Sequence, residues 1–352
     1  MDDNYQGQEQ AIAKHAFLRG YLQGLAYKIG WQESTINYVD GFSGPWRSTD
    51  AQLRDTSPYI ALLQLSQAQN NLIQSGRKPR FRCLFIEKNR AAYRRLPDLA
   101  ARFPSIDVQT LHGEFEEFIP NIKEFVTSGG RDPFGFVFID PKGWTGYGLS
   151  AITPLLNLRR IELLVNFMTK DILRFAGRGD PKIRASFADL FGREDFDQQW
   201  IHLTGRARED AIVDGYCQRL REAGDFPFTG SSVILNPRQD RSHYHLVFAT
   251  RSVIGLQVYR EVESMSLGLQ TSTRKHARQR ARIASSGQQE LFGPEDAFSS
   301  SYVEELMDEY QPRAAQYLQK RLSSPDLVPY KTLAGELMLF PMVTEQRVKA
   351  CG

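Results

Sequence analysis

The feature that most constrains this chain is an alternation repeated five times: a short run of apolar and β-branched residues, a polar or turn residue closing it, then helical spacing. Ile36-Asn37-Tyr38-Val39 ends at Asp40, and Phe81-Arg82-Cys83-Leu84-Phe85-Ile86 ends at Glu87. Ile106-Asp107-Val108-Gln109-Thr110-Leu111 is closed by His112-Gly113-Glu114, and Phe134-Gly135-Phe136-Val137-Phe138-Ile139 runs into Asp140-Pro141. The fifth run is Ile161-Glu162-Leu163-Leu164-Val165-Asn166-Phe167. Helical spacing fills the gaps: Ile60, Leu62, Leu63 and Leu65, then Tyr93 and Leu96, then Phe118, Ile122 and Phe125. An amphipathic helix through Ile12, His15, Ala16, Leu18, Tyr21, Leu22 and Leu25, with Lys14 and Arg19 interleaved, is expected to open the fold. Near-continuous apolar strands separated by helices predict an α/β fold with a parallel sheet covered on both faces.

Strands return at 232–235 and 244–249, joined by a short turn, which predicts an antiparallel hairpin at the sheet edge. Between the fifth strand and this hairpin, 170–225 is polar and helical and reads as an insertion. The expected organisation is an α/β domain over 1–270, a basic helix and linker over 271–301, and a small helical C-terminal unit over 302–352. At 352 residues, 41% hydrophobic and 24% charged, the chain has a folded composition, not a disordered one. No stretch reaches the roughly 18 uninterrupted apolar residues of a membrane span. The opening MDDNYQGQEQ lacks the basic and apolar regions of a secretory signal, and the three cysteines, Cys83, Cys217 and Cys351, are widely separated. A cytoplasmic protein with no Cys-based metal site is expected. The net charge of +3 permits an anionic partner without requiring one.

In an open parallel sheet, ligands sit beyond the carboxyl ends of the strands, where the strand order reverses. The residues that follow each strand are therefore the candidates. Gly41 and Gly44 allow a tight turn and a close backbone approach to a ligand. Glu87, an acceptor-only group at a strand end, can take hydrogen bonds from both hydroxyls of a ribose; its plainer role is a surface pair with Lys88 or Arg90. Gly113-Glu114 repeats the pattern, with Glu114 able to accept an adenine amino proton or simply to favour a helix N-terminus, the role expected of Glu116 and Glu117. The turn Asp140-Pro141-Lys142-Gly143-Trp144 sets an acceptor, free carbonyls and a stacking face at one rim, so an amino group can be held there against the Trp144 indole. A nicotinamide dinucleotide site fits poorly, because the ribose acid would follow the Gly turn by about 20 residues, and Glu87 lies much farther from Gly44.

Together these positions resemble the class I S-adenosylmethionine-dependent methyltransferases, especially the branch that methylates amino groups of nucleic acids. More narrowly, the chain is similar to the three-Cys-motif partner proteins, over most of residues 10–270. The likeness is carried by Tyr38-Val39-Asp40-Gly41-Phe42-Ser43-Gly44-Pro45-Trp46, by Asp55-Thr56-Ser57 leading to Ile60-Ala61-Leu62, and by Phe85-Ile86-Glu87-Lys88. It continues through Phe138-Ile139-Asp140-Pro141-Lys142-Gly143-Trp144 and Leu164-Val165-Asn166-Phe167-Met168. The resemblance implies a Rossmann-like class I methyltransferase sheet, a C-terminal unit of winged-helix type, and a partner resembling a radical S-adenosylmethionine enzyme. It also implies S-adenosylmethionine held by Asp40, Gly41, Phe42, Ser43, Gly44, Pro45, Glu87, Lys88, Gly113 and Glu114, with Asp140, Pro141 and Trp144 orienting the acceptor. Two departures stand out: Trp46 occupies a position that is often Gly, and Lys142 and Trp144 replace the second Pro and the Tyr of an Asp-Pro-Pro-Tyr turn.

Methyl transfer from a sulfonium needs positioning and exclusion of water more than acid–base work, so the lack of a catalytic triad is no obstacle. His243 and His245, which alternate on one strand face, are expected to be structural, and His112 a satisfied polar residue of the core. For a nucleic-acid acceptor, Arg274, Arg278 and Arg282 at four-residue spacing, with Lys275 and Arg280 beside them, would offer a stripe to phosphates. Arg174, Arg178, Lys182 and Arg184 form a second basic cluster in the insertion, and Lys142 could touch a phosphate. A solvated helix face explains the same charges. Two readings result: an enzyme methylating an amino group of a nucleic-acid base, or a non-catalytic nucleic-acid-binding subunit of the same fold in which Trp46 blocks the cofactor. A metal-dependent nuclease using Asp40, Glu87 and Asp140 is a more distant third.

Overall fold

The computed structural model describes residues 9–32, 35–44, 48, 50–130, 132–177, 179–286, 302–323 and 327–350. The chain opens with α1 (Glu9–Gly30), β1 (Thr35–Asp40) and α2 (Ser57–Gln74), then β2 (Arg80–Glu87), α3 (Arg90–Tyr93), α4 (Leu96–Ala101) and β3 (Asp107–His112). It continues through α5 (Ile119–Thr127), β4 (Phe134–Ile139), α6 (Leu149–Leu156) and β5 (Ile161–Phe167). Three helices, α7 (Thr169–Phe175), α8 (Pro181–Phe191) and α9 (Gly205–Gly224), form the expected insertion before β6 (Phe228–Leu235) and β7 (Ser242–Thr250). The described residues end with α10 (Val253–Ser286), α11 (Tyr302–Leu322), α12 (Tyr330–Leu337) and α13 (Glu345–Ala350).

The strands form one seven-stranded sheet in the order β3-β2-β1-β4-β5-β7-β6. β1 to β5 are parallel neighbours, and β7 runs antiparallel between β5 and β6. This is the Rossmann-like class I methyltransferase sheet with an antiparallel edge hairpin that the sequence predicts. Side chains alternate between its faces, as the strand period demands. Tyr38, Phe81, Phe85, Phe136 and Phe138 pack under α1, α2 and α10, whereas Val39, Leu84, Ile86, Val137 and Val165 pack under α5, α6 and the insertion. Both faces are dry, which is why the strands read as continuous apolar runs.

α1 lies closely on α10: a Cβ on Gly24 would sit 2.8 Å from a methyl of Val258. Its position along the sheet is fixed by a buried polar contact. The Tyr21 hydroxyl donates to Glu162 Oε2 at 2.5 Å, and Thr250 Oγ1 donates to Glu162 Oε1 at 2.6 Å. Burial raises the Glu162 carboxyl to about 7, against the pull of both hydroxyls.

The boundary expected near residue 270 falls inside α10, which crosses it as one helix of 34 residues. The cause is burial: Leu256, Tyr259, Val262 and Leu267 face the interior, followed by the buried polar residues Gln270, Thr273 and Arg274 and then Ala277, so the buried face has no break there. The C-terminal helices pack on α10 and the sheet edge, with Ala334, Leu337, Met338 and Val348 in the main core. Among the described residues of this part no strand accompanies the helices. A buried ion pair holds it in place. Arg260 Nη1 lies 2.7 Å from Glu263 Oε2, with both side chains at 0–1% exposure. Arg260 also donates to the Met338 and Leu339 carbonyls at 2.8 and 3.1 Å, and Glu263 accepts from the Met342 N–H at 3.0 Å.

Removing one partner leaves the other charged and buried. Glu263→Ala is therefore expected to cost about 3–5 kcal/mol in urea unfolding, with α12 and α13 becoming the first region to exchange amide hydrogens. A loss below about 1 kcal/mol would show that the pair does not hold the C-terminal helices.

Candidate functional site

The strand order reverses between β1 and β4, because the chain leaves β1 toward β2 and leaves β4 toward β5. A crevice opens there at the carboxyl ends of the strands. Asp40 pairs in register with Phe85 on one side and Phe138 on the other, which puts it at the strand end beneath this crevice. The following turn is stitched to both neighbours: the Gly41 N–H donates to the Phe138 carbonyl at 3.0 Å, and the Ser43 N–H to the Ile86 carbonyl at 2.9 Å. Asp40 Oδ1 accepts from the Phe42 N–H at 3.0 Å, and Ser43 Oγ donates to the Asp40 carbonyl at 2.8 Å. A Cβ on Gly41 would come within 2.5 Å of the Phe115 ring, so only glycine lets the turn lie this close to the crevice wall. Burial raises Asp40 to about 7, opposed by the Ser57 hydroxyl and the Phe42 N–H and reinforced by the Asp140 charge.

Two hollows flank this turn. The first, of about 330 Å³, is lined by Gly41, Phe42, Glu87, Lys88, Gly113 and Glu114, and by Asp140, Pro141, Lys142 and Gly143 across from them. Most of the predicted cofactor positions thus converge. Asp40 and Ser43 are fully buried beneath them, holding the turn. Glu87 is 1% exposed; its Oε1 accepts from the Asn89 N–H at 2.5 Å, while Oε2 is buried without a hydrogen-bond partner. Burial lifts the Glu87 carboxyl above its ordinary range, and the Asn89 N–H, Lys142 and Lys88 pull it back. Glu114 is exposed and pairs with Lys88 at 3.6 Å. Glu116 accepts from the Gly148 N–H at 2.7 Å and Glu117 from the Glu114 N–H at 3.1 Å, the structural roles expected of them.

The second hollow, of about 420 Å³, shares Phe42, Asp140, Pro141 and Lys142 with the first and adds Gly44, Lys14, His15, Asn166, Met168 and His243. The Asp140-Pro141-Lys142 segment is therefore a partition between two cavities. Asp140 is held from both sides: Lys14 Nζ lies 2.5 Å from Oδ2, and Asn166 Nδ2 donates to Oδ1 at 2.6 Å. Lys14 is the functional residue the sequence reading missed. Its signal is positional: Lys14, Leu18, Tyr21 and Leu25 fall at steps of four, three and four, which puts a lysine on the buried stripe of α1. The Tyr21–Glu162 contact then delivers it. Seven residues of helix span about 10.5 Å, and the four from Glu162 to Asn166 span about 13 Å of strand. Pinning Tyr21 at one end of β5 thus brings Lys14 to the other.

Several expectations are corrected. The Trp144 indole offers no stacking face to either hollow: Nε1 donates to Ser186 Oγ at 2.9 Å, and the ring packs 5.0 Å from Phe175 and 5.2 Å from Phe187. Two aromatic neighbours and a serine on the insertion outweigh exposure at the rim, so Trp144 docks the insertion. Arg274 and Arg278 do not present a phosphate stripe, because both reach Asp240 Oδ1 at 2.6 Å and Arg274 is 3% exposed. Lys275 is half-buried and Arg282 exposed on the same helix. Arg174 is exposed, with its guanidinium over the Phe175 ring, and Arg184 is paired with Asp197 at 2.8 Å. Pro45, Trp46 and Arg178, and the expected linker beyond 286, lie outside the described residues. His245 is structural as expected, bonded to Thr169 Oγ1 at 2.8 Å. His112 is exposed beside Tyr93 and not part of the core. His243 lines the second hollow, and burial with the charges of Lys170 and Arg241 brings it down to about 4, so it is neutral at physiological pH. No helix of the described residues is long and apolar enough to cross a membrane.

No protein-family profile matches the sequence, and no curated protein matches it. Among solved structures, a Legionella pneumophila protein of a family described as DUF519 is 12% identical, covering 74% of this chain and 92% of its own, with a TM-score of 0.43. A Streptomyces avermitilis protein of the duf574 family is 10% identical over 68% of this chain and 83% of its own, with a TM-score of 0.35. Loganic acid methyltransferase, solved with SAH, is 9% identical over 81% of this chain and 93% of its own, also at 0.35.

The raised Asp40 carboxyl has a consequence for stability. Its folded value of about 7 lies above the usual 3.8, so between about pH 4 and pH 7 the unfolded chain gives up this proton more readily than the folded one. Stability therefore falls as pH rises through that window. Asp40→Asn is expected to gain stability relative to the parent over the same range, read as a widening difference in urea midpoint. Parallel curves would contradict the assignment.

Proposed function

We propose that this chain is an S-adenosylmethionine-dependent methyltransferase acting on an amino nitrogen of a nucleic-acid base. The observation that carries the reading is Glu87 Oε2, a buried carboxylate oxygen without a partner on the wall of the first hollow, at the end of the strand next to the switch point. An orphaned acceptor is costly unless something donates to it. A ribose hydroxyl supplies such a donor, and the exposed Glu114 stands one strand farther out for the base. Bound there, S-adenosylmethionine supplies a methyl group already activated on sulfur. The protein is left to orient the acceptor and keep water out.

The second hollow suits that acceptor. Its partition residues touch both cavities, so a group seated against Asp140 and Pro141 faces the cofactor side. Lys14 and Asn166 use two of the roughly four lone-pair positions of the Asp140 carboxylate, leaving it able to accept from an amino N–H. The Lys14 ammonium, 2.5 Å from Asp140 Oδ2, opposes a second cation beside it. A neutral aromatic amine is favoured over a protonated side-chain amine. We also place the chain among the three-Cys-motif partner proteins, on the motif residues from Tyr38 to Met168, with their radical-enzyme-like neighbour as its partner.

Isothermal titration of the full chain with S-adenosylmethionine or S-adenosylhomocysteine tests the reading. Micromolar binding is expected, weakened at least about tenfold by Glu87→Ala, as loss of a hydrogen bond to a charged group implies. Lys14→Met is expected to keep cofactor affinity within about twofold while slowing methyl transfer at least about tenfold, because it unseats Asp140 alone. Methyl transfer is read by mass spectrometry of digested nucleosides. No binding at millimolar cofactor would overturn the assignment.

A further inference from the structure

Because β5 and β7 are antiparallel, the end of one lies beside the start of the other: Phe167 pairs with His245. Lys170 follows Phe167 by three residues, and Arg241 precedes His245 by four, so both cations leave the paired strands at the same end of the sheet. The second hollow opens at that end. Met168, two residues before Lys170, and His243, two after Arg241, line it. The charges of Lys170 and Arg241 both act on His243. Neither cation has an ion-pair partner among the described residues, although Asp171 follows Lys170 directly and feels its charge together with that of Arg174. The acids of the hollow itself are already committed: Asp140 to Lys14 and Asn166, and Asp55 to Ser48 Oγ at 2.5 Å.

The turn that carries Arg241 is rigidly built. Asn236 Oδ1 accepts from the N–H groups of Arg238 and Gln239, both at 3.0 Å, closing the turn on itself. Arg274 and Arg278 then grip Asp240 from α10, and Arg274 also donates to the Gln239 carbonyl at 3.0 Å. The buried arginine of the expected phosphate stripe thus has a different task. It fixes the loop next to it.

We propose that Arg241 and Lys170 form an oxyanion-gripping rim on the second hollow, with the Arg274–Asp240–Arg278 clamp presenting Arg241, so that the acceptor arrives as a phosphodiester-bearing strand. This rests on the second hollow being the acceptor site. A guanidinium grips phosphate oxygens as a planar fork and an ammonium as a point charge, which together suit a backbone passing the mouth while its base enters. For a base within a duplex, the same entry requires flipping it out.

The test is fluorescence anisotropy of the full chain with labelled single-stranded RNA and DNA oligonucleotides of one mixed sequence, across a salt series, with adenosine monophosphate as competitor. Lys170→Ala with Arg241→Ala is expected to weaken binding at least about tenfold and reduce the salt slope by about two. The double variant Lys170→Arg with Arg241→Lys retains most of both. Lys123→Ala, exposed on α5, is expected to change neither. Asp240→Asn removes a negative charge, so long-range electrostatics alone would tighten binding; the clamp instead predicts weaker binding, with the fold checked by circular dichroism. Unchanged affinity and slope in the alanine double variant would overturn the rim, and tighter binding in Asp240→Asn would overturn the clamp. A mononucleotide competing as well as the strand would overturn the strand assignment. S-adenosylhomocysteine titration of the same variants separates the two readings. Lost cofactor binding in the parent chain defeats the methyltransferase, whereas the salt slope alone decides the rim.

Discussion

Everything at the site follows from the reversal of strand order between β1 and β4. Two adjacent parallel strands whose onward connections diverge must leave a gap at their carboxyl ends. The sheet fills that gap with whatever side chain ends each strand, here Asp40 and Asp140, with Glu87 one strand away. Strands dry on both faces allow little slippage, because a shift of one residue would turn Phe85 and Phe138 to the opposite side. The apolar register and the acidic tips are therefore one constraint. The turn after β1 inherits it through its hydrogen bonds to β2 and β4.

A second constraint acts across the sheet. α1 is held by aromatic packing of Tyr21 on Phe136 and by the buried Tyr21–Glu162–Thr250 contact. Because Glu162 sits at the start of β5, a contact far from the crevice sets the level at which Lys14 meets Asp140. The insertion is joined to the site in a similar way, through Trp144 and its partners Ser186, Phe175 and Phe187. The C-terminal helices are tied in through Arg260 and Glu263. Each appended part reaches the crevice or its support through a small number of buried polar or aromatic contacts.

What the sequence made legible was local. The strand runs, their acidic ends and the glycines after β1 are decided by neighbouring residues, and six of the ten positions expected to hold a cofactor line the first hollow. What it hid was tertiary. The four-residue spacing of Arg274 and Arg278 is a correct reading of a helix face, yet it does not reveal that Asp240, on a turn of the edge hairpin, faces them. Trp144 reads as a rim aromatic until the insertion supplies Phe175 and Phe187. Lys14 looked like one charge among others on an amphipathic helix, and only its place on the buried stripe set it apart. One helix crosses residue 270 because its buried face continues through Gln270, Thr273 and Arg274, polar residues that look like surface in the sequence.

A crystal structure of the full chain with S-adenosylhomocysteine tests the central claim most directly. The ribose hydroxyls are expected within about 2.6–3.2 Å of Glu87 Oε2, with the sulfur facing the Asp140-Pro141-Lys142 partition. An adenosyl group seated elsewhere, or Glu87 Oε2 still without a donor while the ligand is bound, would contradict it.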